Sequence, residues 1–259
     1  MRSGSIIVKT SDDLVRMRRA GRLAAQAIQA VAEAVAPGIT TGALDRIAEE
    51  LIRTGGGVPS FKDYRGYPAS ICTSVNDEVV HGIPGPRVLE SGAIVAIDLG
   101  VLLEGFHADV AVTVPVGEVA PDVGRLLRVA QEALARGIAE AKPGARLGDV
   151  GWAIQSVIEA AGFSAVRDFA GHGIGRSLHE APQILNVGVP RTGVVLQPGM
   201  TLAIEPMVTM GGPDVIIDGD GWTVRTRDGT LAAHAEHTVA IAATGAEILT
   251  GLNETAAIY

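Results

Sequence analysis

A repeat running through most of the chain limits what it can fold into more than any single motif does. Pro37-Gly38 returns as Pro143-Gly144 at an offset of 106, and the same offset carries Gly42 to Gly148, Leu44 to Val150, Leu51 to Val157, Ile52 to Ile158 and Gly56 to Gly162. At an offset of 107, Val88-Leu89-Glu90-Ser91-Gly92 through Ala96-Ile97-Asp98 matches Val195-Leu196-Gln197-Pro198-Gly199 through Ala203-Ile204-Glu205. Both copies read helix, helix, strands. In the first, Ser11 is a good N-cap ahead of Asp12 and Asp13, and Leu14, Met17, Gly21, Ala24, Ile28, Val31 and Val35 recur at helical spacing up to Pro37-Gly38. A second helix starts near Thr41, turns Leu44, Ile47 and Leu51 inward and stops at Gly55-Gly56-Gly57. In the second copy the helical patterns cover residues 121–141 and 147–161. The expected fold is therefore α+β: a pseudo-twofold pair of helix-helix-strand halves, about 10–117 and 118–250, with a central antiparallel sheet and helices on its outer face. Asp228-Gly229 adds a hairpin signal between Trp222–Thr226 and Leu231–Ala243.

The second constraint is charge placed inside apolar strands. Ala93–Leu99 and Phe106–Val114 flank Glu104-Gly105 and read as an antiparallel hairpin, and each run carries one aspartate, Asp98 and Asp109. An ionised carboxylate in an Ala/Ile/Val strand is costly unless a cation or several hydrogen bonds compensate it. A turn near Leu103 puts both aspartates at roughly the same height on neighbouring strands, where they repel unless they share a proton or a metal. The repeat makes Glu205 the mate of Asp98, two acids each ending an apolar strand, so the costly feature occurs twice. Glu236, on one strand face with Thr238, is another such carboxylate, and His172 lies in Gly171-His172-Gly173-Ile174-Gly175. Four carboxylates and one imidazole make a hard, oxygen-rich set, suited to two divalent ions such as Mn, Fe, Co or Zn rather than to a thiolate zinc site. Two ions about 3.5–4 Å apart share bridging carboxylates and lower the pKa of a held water toward about 7. His81 and His179 are further imidazoles, whereas His107, His234 and His237 read as supporting or surface histidines.

Composition narrows the partners. One cysteine, Cys72, excludes an internal disulfide framework and suits a reducing compartment, so a cytoplasmic protein is expected. No apolar run approaches the roughly 20 residues of a transmembrane helix, and residues 1–10 lack the apolar core of a signal peptide. A net charge of -8 and a pI near 5.2 argue against nucleic acid or an anionic membrane as partner, and suit a cationic ligand such as a metal ion or a peptide's ammonium terminus. Residues 58–92 are irregular apart from a short strand around Ile71–Val75, and they gather Phe61, Tyr64, Tyr67, Cys72 and His81, which predicts a pocket wall in a chain with 3% aromatics. Gly171–Gly175 is not a phosphate loop, since no Lys-Ser/Thr follows it; its glycines are expected to let the backbone pass close to ions and substrate. Ser70 and Ser74 near His81 lack a Gly-x-Ser-x-Gly elbow, which argues against a serine hydrolase.

Taken together, Tyr64-Arg65-Gly66-Tyr67-Pro68, Ser74-Val75-Asn76-Asp77-Glu78-Val79-Val80-His81-Gly82-Ile83-Pro84, Asp98 with Asp109, Gly171–Gly175 with His179-Glu180, Glu205-Pro206-Met207 and Glu236-His237-Thr238 resemble methionine aminopeptidase of the bacterial, type I kind, within the creatinase or pita-bread metallopeptidases. The resemblance covers almost the whole chain. It implies a pita-bread fold and a single catalytic domain over residues 1–259. The activity it implies is removal of the initiator methionine from nascent proteins and peptides with a small second residue, by a hydroxide bridging two divalent ions (Co, Mn, Fe or Zn). By position, Asp109 and Glu236 would bridge both ions, Asp98 would chelate one, and His172 and Glu205 would complete the other. His81 and His179 would contact the substrate amine or scissile amide nitrogen and the carbonyl oxygen, the job of an oxyanion hole. Glu205 would carry the proton to the leaving amine. Tyr64, Tyr67, Cys72 and Trp222 match the methionine side-chain pocket, whose apolar, sulfur-containing wall suits an unbranched thioether.

Two positions depart from the best-known pattern. Phe61 stands where some members have a small thiol residue and Leu178, before the second histidine, where some have an aromatic, two changes expected to compensate in volume and to alter pocket shape rather than chemistry. The substrate end of the reaction is then the N-terminal methionine of peptides and nascent proteins, with the ribosome a candidate partner and a monomer expected. Proline-directed aminopeptidases and dipeptidases share the five ligands but carry an extra N-terminal domain, and only 97 residues precede Asp98 here. Type II relatives carry a helical insertion for which the 26-residue spacing of His179 and Glu205 leaves no room. A non-catalytic protein on this scaffold would have lost ligands, and all five are present with His81 and His179. Arg2 is a large second residue, so Met1 is expected to stay on this chain.

Overall fold

A computed structural model describes residues 5–251; Met1 and Arg2, on which the expectation of a retained methionine rests, lie outside them. The first helix, α1 (Ser11–Ala34), is capped one residue earlier than its sequence suggests. The Thr10 hydroxyl accepts the Asp13 N–H at 3.2 Å and the Asp13 carboxylate accepts the Thr10 N–H at 3.0 Å, a reciprocal capping box. In α2 (Thr41–Thr54) the buried row is Leu44, Ala48 and Ile52. Leu51, expected to point inward, is 37% exposed, because it sits about 100° round the helix from Ile52. The second pair, α3 (Pro121–Glu140) and α4 (Leu147–Ala160), follows the expected boundaries to within a residue.

The repeat reappears in backbone hydrogen bonds. Gly38 N–H donates to Leu89 O and Gly144 N–H to Leu196 O, both at 2.9 Å, while Leu89 N–H donates to Ile39 O and Leu196 N–H to Ala145 O, both at 2.8 Å. Glycine recurs with the turns because the left-handed backbone recurs: φ is +95° at Gly38 and +85° at Gly144, and +90° at Gly92 and +87° at Gly199.

A nine-stranded antiparallel sheet is central. Its order is Val58–Pro59, Ile94–Leu103, Phe106–Pro115, Glu236–Ile241, Thr201–Ile204, Ala170–Gly173 and Glu180–Leu185; Cys72–Val75 also pairs with Ile94–Leu103, and Ala246–Ile248 with Glu236–Ile241. The hairpin turns at Glu104-Gly105, both at positive φ as a two-residue primed turn demands. Its register sets Asp98 opposite Ala111 and Asp109 opposite Gly100, so the aspartates are diagonal neighbours two residues apart rather than level. Asp98 also lies within its strand rather than at its end, because pairing with Val58–Pro59 carries that strand on to Leu103.

Strand alternation then decides which side the acids face. Val95, Ile97, Leu99 and Val101, with Ala108, Val110, Val112 and Val114, join α1 and α2 in one apolar core. Asp98 and Asp109 belong to the alternate positions, so they point away from those helices. A second core packs α3 and α4 on Leu202, Ile204, Val239 and Ile241.

The hairpin expected at Asp228-Gly229 does not form. Val224–Thr226 pairs instead with Val215–Ile217 and Glu78–Val80 in a small sheet, and residues 231–243 divide between Ala232–His234, in a third sheet with Met207–Thr209, and Glu236–Ile241 in the central one. Asp228 serves the turn another way, accepting backbone N–H groups from Gly212 and Thr230.

Candidate metal centre

All five residues expected to hold metal meet on the sheet face turned away from α1 and α2. The hairpin delivers Asp98 and Asp109; Glu236 opens the adjoining strand opposite Ala111; His172 lies opposite Ala203; and Glu205 is the first residue beyond Thr201–Ile204. Ligand atoms of Asp109, His172 and Glu236 lie within 4.8 Å of one another. His172 Nε2 is 3.8 Å from both Asp109 Oδ2 and Glu205 Oε1. His172 Nδ1 is 3.0 Å from the Gly173 carbonyl, an acceptor only, so that nitrogen carries a proton and Nε2 is the one turned toward the acids. The Asp109 backbone is clasped by Thr238, whose hydroxyl accepts the Asp109 N–H and donates to the Asp109 carbonyl, both at 2.8 Å.

The electrostatics call for cations. Among the described residues Asp98 Oδ1, Asp109 Oδ1 and Glu236 Oε1 are buried without a hydrogen-bond partner. Burial pushes Asp109 up to about 8 and Glu205 up to about 7, with Glu205 adding to the rise at Asp109. Burial and the neighbouring carboxylates raise Asp98 and Glu236 well above the usual range. Acids that ionise this reluctantly, with oxygens aimed at one another and at an imidazole, fit divalent cations of the hard or borderline kind.

The two further imidazoles and the expected pocket residues line the same cavity, about 140 Å³ in volume: Phe61, Tyr64, Tyr67, Cys72, Leu178 and Trp222, with His81, His179 and the five candidate ligands. That is the scale of a cavity that accepts a benzene-sized molecule, roughly 150 Å³. Phe61 and Leu178 belong to one apolar cluster at the cavity. Tyr64 Oη is 2.9 Å from His179 Nδ1 and the two rings stack at 5.3 Å. His81 sits at φ +62°, a left-handed conformation that a non-glycine residue keeps only when its surroundings enforce it. The enforcement comes from Ser74, whose hydroxyl accepts the Gly82 N–H, and from buried Glu78, which accepts the Val75 N–H and pairs with Arg87 and Arg225. Burial first, and neighbouring imidazoles second, hold His81 at about 4 and His179 at about 3, so each is neutral near pH 7.

The sequence reading placed His234 only among supporting or surface histidines and did not single out Thr113. His234 is buried, its Nε2 is 3.4 Å from Glu205 Oε2, and it forms a second ligand group with Glu205 and Glu236. The spacing of two between His234 and Glu236 was the available signal, masked by the change of sheet at Ala235. Thr113 clasps the His234 backbone as Thr238 clasps that of Asp109, at 2.8 and 2.7 Å. Arg65 also lines the cavity. His107 and His237 instead bond Ser60 and Thr250 and do not line it. The glycines around His172 answer to protein rather than to ions: a Cβ at Gly171 or Gly173 would overlap the Ala203 or Ala181 carbonyl, and one at Gly175 would overlap the Lys9 side chain.

Comparison with known proteins gives the family and the fold. A model of metallopeptidase family M24 matches residues 15–243. Methionine aminopeptidase 1 of Bacillus subtilis is 51% identical over 245 residues, 95% of this chain and 99% of that protein. The crystal structure of methionine aminopeptidase from Thermotoga maritima superposes with a TM-score of 0.94 at 46% identity, covering 95% of this chain and 99% of that one. Prolidase from Pyrococcus furiosus, at 24% identity and a TM-score of 0.78, shares the fold; 96% of this chain covers only 66% of it. No described helix is long and apolar enough to cross a membrane.

Proposed function

This chain belongs to metallopeptidase family M24, and from that premise we propose that it removes the N-terminal methionine of peptides and nascent proteins whose second residue is small. Its fold is the pita-bread fold. The observation that carries the reading is the convergence of Asp98, Asp109, His172, Glu205 and Glu236 beneath a cavity walled by Phe61, Tyr67, Cys72, Leu178 and Trp222. In this reading Asp109 and Glu236 would be shared between two divalent ions, Asp98 would hold one of them, and His172 and Glu205 the other. When bound, such ions supply Lewis acidity and a water that gives up its proton near neutral pH.

The chain's own residues account for the rest. The cavity takes the unbranched methionine side chain against Tyr67, Cys72 and Trp222, excluding water from the bond that breaks. His81 and His179, neutral imidazoles at the cavity, each offer one N–H and one lone pair to the substrate amine, amide and carbonyl; Tyr64 orients the His179 ring. Glu205, beside His172, passes a proton between the attacking water and the leaving amine. The setting that suits this chemistry is the cytoplasm, with a monomer working on chains emerging from the ribosome.

A matched peptide set tests the reading by mass spectrometry: Met-Ala-Ser, Met-Lys-Ser and Ala-Pro-Ser, with metal-free protein and with Mn or Co added. Metal-dependent loss of methionine from Met-Ala-Ser alone is expected. Cleavage of Ala-Pro-Ser moves the protein to the proline-directed branch, and equal cleavage of the two methionine peptides removes the second-residue preference.

A further inference from the structure

Outside the metal centre, one buried ion pair has no counterpart in the chemistry described so far. Lys9 Nζ lies 2.5 Å from Glu180 Oε2, with the two side chains only 3% and 5% exposed. Lys9 belongs to the extended segment ahead of α1, far from Glu180 in sequence, and Glu180 is the residue directly after His179. Burying two opposite charges is worthwhile only where the geometry is well satisfied, and here it is. The Lys9 ammonium also donates to Ile7 O at 3.1 Å, and Glu180 Oε1 accepts the Ser177 N–H at 3.1 Å. Lys9 N–H donates to Gly199 O at 2.7 Å, fastening the segment to the turn before Thr201–Ile204. Gly175 lacks the Cβ that would strike the Lys9 side chain, which explains the third glycine of Gly171-His172-Gly173-Ile174-Gly175.

A second tie runs alongside. Arg176 bonds Asp13 at 3.2 Å and lies over the Phe106 ring at 4.4 Å. The loop between His172 and Glu180 is thus held from outside by the N-terminal segment, while inside it presents Leu178 and His179 to the cavity. Tyr64, through which the His179 ring is oriented, is only partly buried, so the placement of both depends on how firmly the loop backbone is anchored.

We propose that Lys9 is a positioning residue for substrate: through Glu180 it fixes where Leu178 and His179 stand over the cavity, making the segment before α1 part of the active site. This rests on the reading of His179 and Leu178 as substrate contacts. The clamp works by charge: without the ammonium, a buried carboxylate keeps only the Ser177 N–H and moves toward water, taking the adjoining His179 with it. Displacement of a substrate-contacting group by about 1 Å lowers turnover by up to about 100-fold without touching the metal ligands.

The test uses the Mn-loaded full chain with Lys9→Met, Glu180→Gln and a control, Arg18→Met, which breaks the half-exposed Arg18–Glu247 pair on α1. Four quantities are read: Mn bound per chain, the melting midpoint, amide hydrogen exchange over residues 174–180, and kcat and KM for Met-Ala-Ser against Leu-Ala-Ser. Lys9→Met should keep its Mn, raise exchange in that loop about tenfold over the rest of the chain, lower kcat by about 10- to 100-fold, and narrow the preference for methionine over leucine. Glu180→Gln, which keeps a hydrogen-bond acceptor for Lys9, should fall between wild type and Lys9→Met, and Arg18→Met should match wild type. Unchanged loop exchange and kcat in Lys9→Met overturn the proposal, as does a kcat loss that only tracks lost metal or lost folded protein. If the wild type releases no methionine at all, the functional reading fails, while the exchange data still decide whether Lys9 holds the loop.

Discussion

Removing divalent cations should make this protein less stable as pH rises from about 6.5 to 8, and adding Mn should abolish that slope. In the metal-free chain Asp109 sits at about 8 and Glu205 at about 7, against ordinary values of 3.8 and 4.5, and Asp98 and Glu236 are raised as well. Over the intervening pH range the folded chain holds protons that the unfolded chain has released. Stability then falls with rising pH, because its slope follows protons bound unfolded minus protons bound folded. Histidines oppose this at lower pH: His81 and His237 at about 4 and His179 and His234 at about 3 are neutral when folded and charged when unfolded, so they add stability up to about 6.5. Only above that value do the carboxylates act alone. Asp109 and Glu205 alone, at about 1.4 kcal/mol per pH unit each while they hold their protons, give a loss of about 2–3 kcal/mol across the window, roughly 5–10 °C in Tm for a chain of this size, to which Asp98 and Glu236 add. Thermal melts of chelator-treated protein at four pH values and constant ionic strength, with and without Mn, measure it. A metal-free Tm that stays flat or rises between pH 6.5 and 8 would refute the picture of acids held protonated for want of cations.

Two further expectations separate the residues by role. Asp109→Ala should lose bound metal, whereas His81→Ala or His179→Ala should retain it and lose roughly 100-fold or more in kcat; metal analysis beside steady-state kinetics checks this, and the reverse pattern would exchange the roles. His234→Ala removes the imidazole 3.4 Å from Glu205 without touching an expected ligand, and should weaken Mn binding by about tenfold or more in calorimetry; unchanged affinity would make His234 a space-filling residue.

The parts of the fold that could be read from sequence were those whose cause is local. Pro-Gly turns and left-handed glycines need particular residues wherever they occur, so Pro37-Gly38 and Pro143-Gly144 marked the repeat. Carboxylates inside apolar strands are costly anywhere, so Asp98, Asp109 and Glu236 stood out before any partner was known. What escaped depends on distant pairing. Val224–Thr226 is three residues long and finds its partner at Glu78–Val80, so the adjacent Asp-Gly turn predicted the wrong neighbour. Leu51 was misplaced by one helical position, since Leu51 and Ile52 are equally apolar and only packing selects between them. Lys9 carries no local signature, being defined by a glutamate far away in the sequence, and the one local sign of His234, its spacing of two from Glu236, gains meaning only from the carboxylates that meet it.

The two threonine clasps have a consequence of their own. Asp109 meets Thr238 as His234 meets Thr113, so exchanging the partners of one pair generates the other. Such reciprocity is the mark of an isologous dimer contact, and the seam between the two strands behaves as if two copies of an ancestral chain had once docked there and were later joined end to end. On the seam itself the match breaks down, with Ala111 facing Glu236. A cradle inherited from two equal partners now has one acid where its mirror position has a methyl group, so two cations entering it meet unequal surroundings and should load one after the other, the second more weakly than the first.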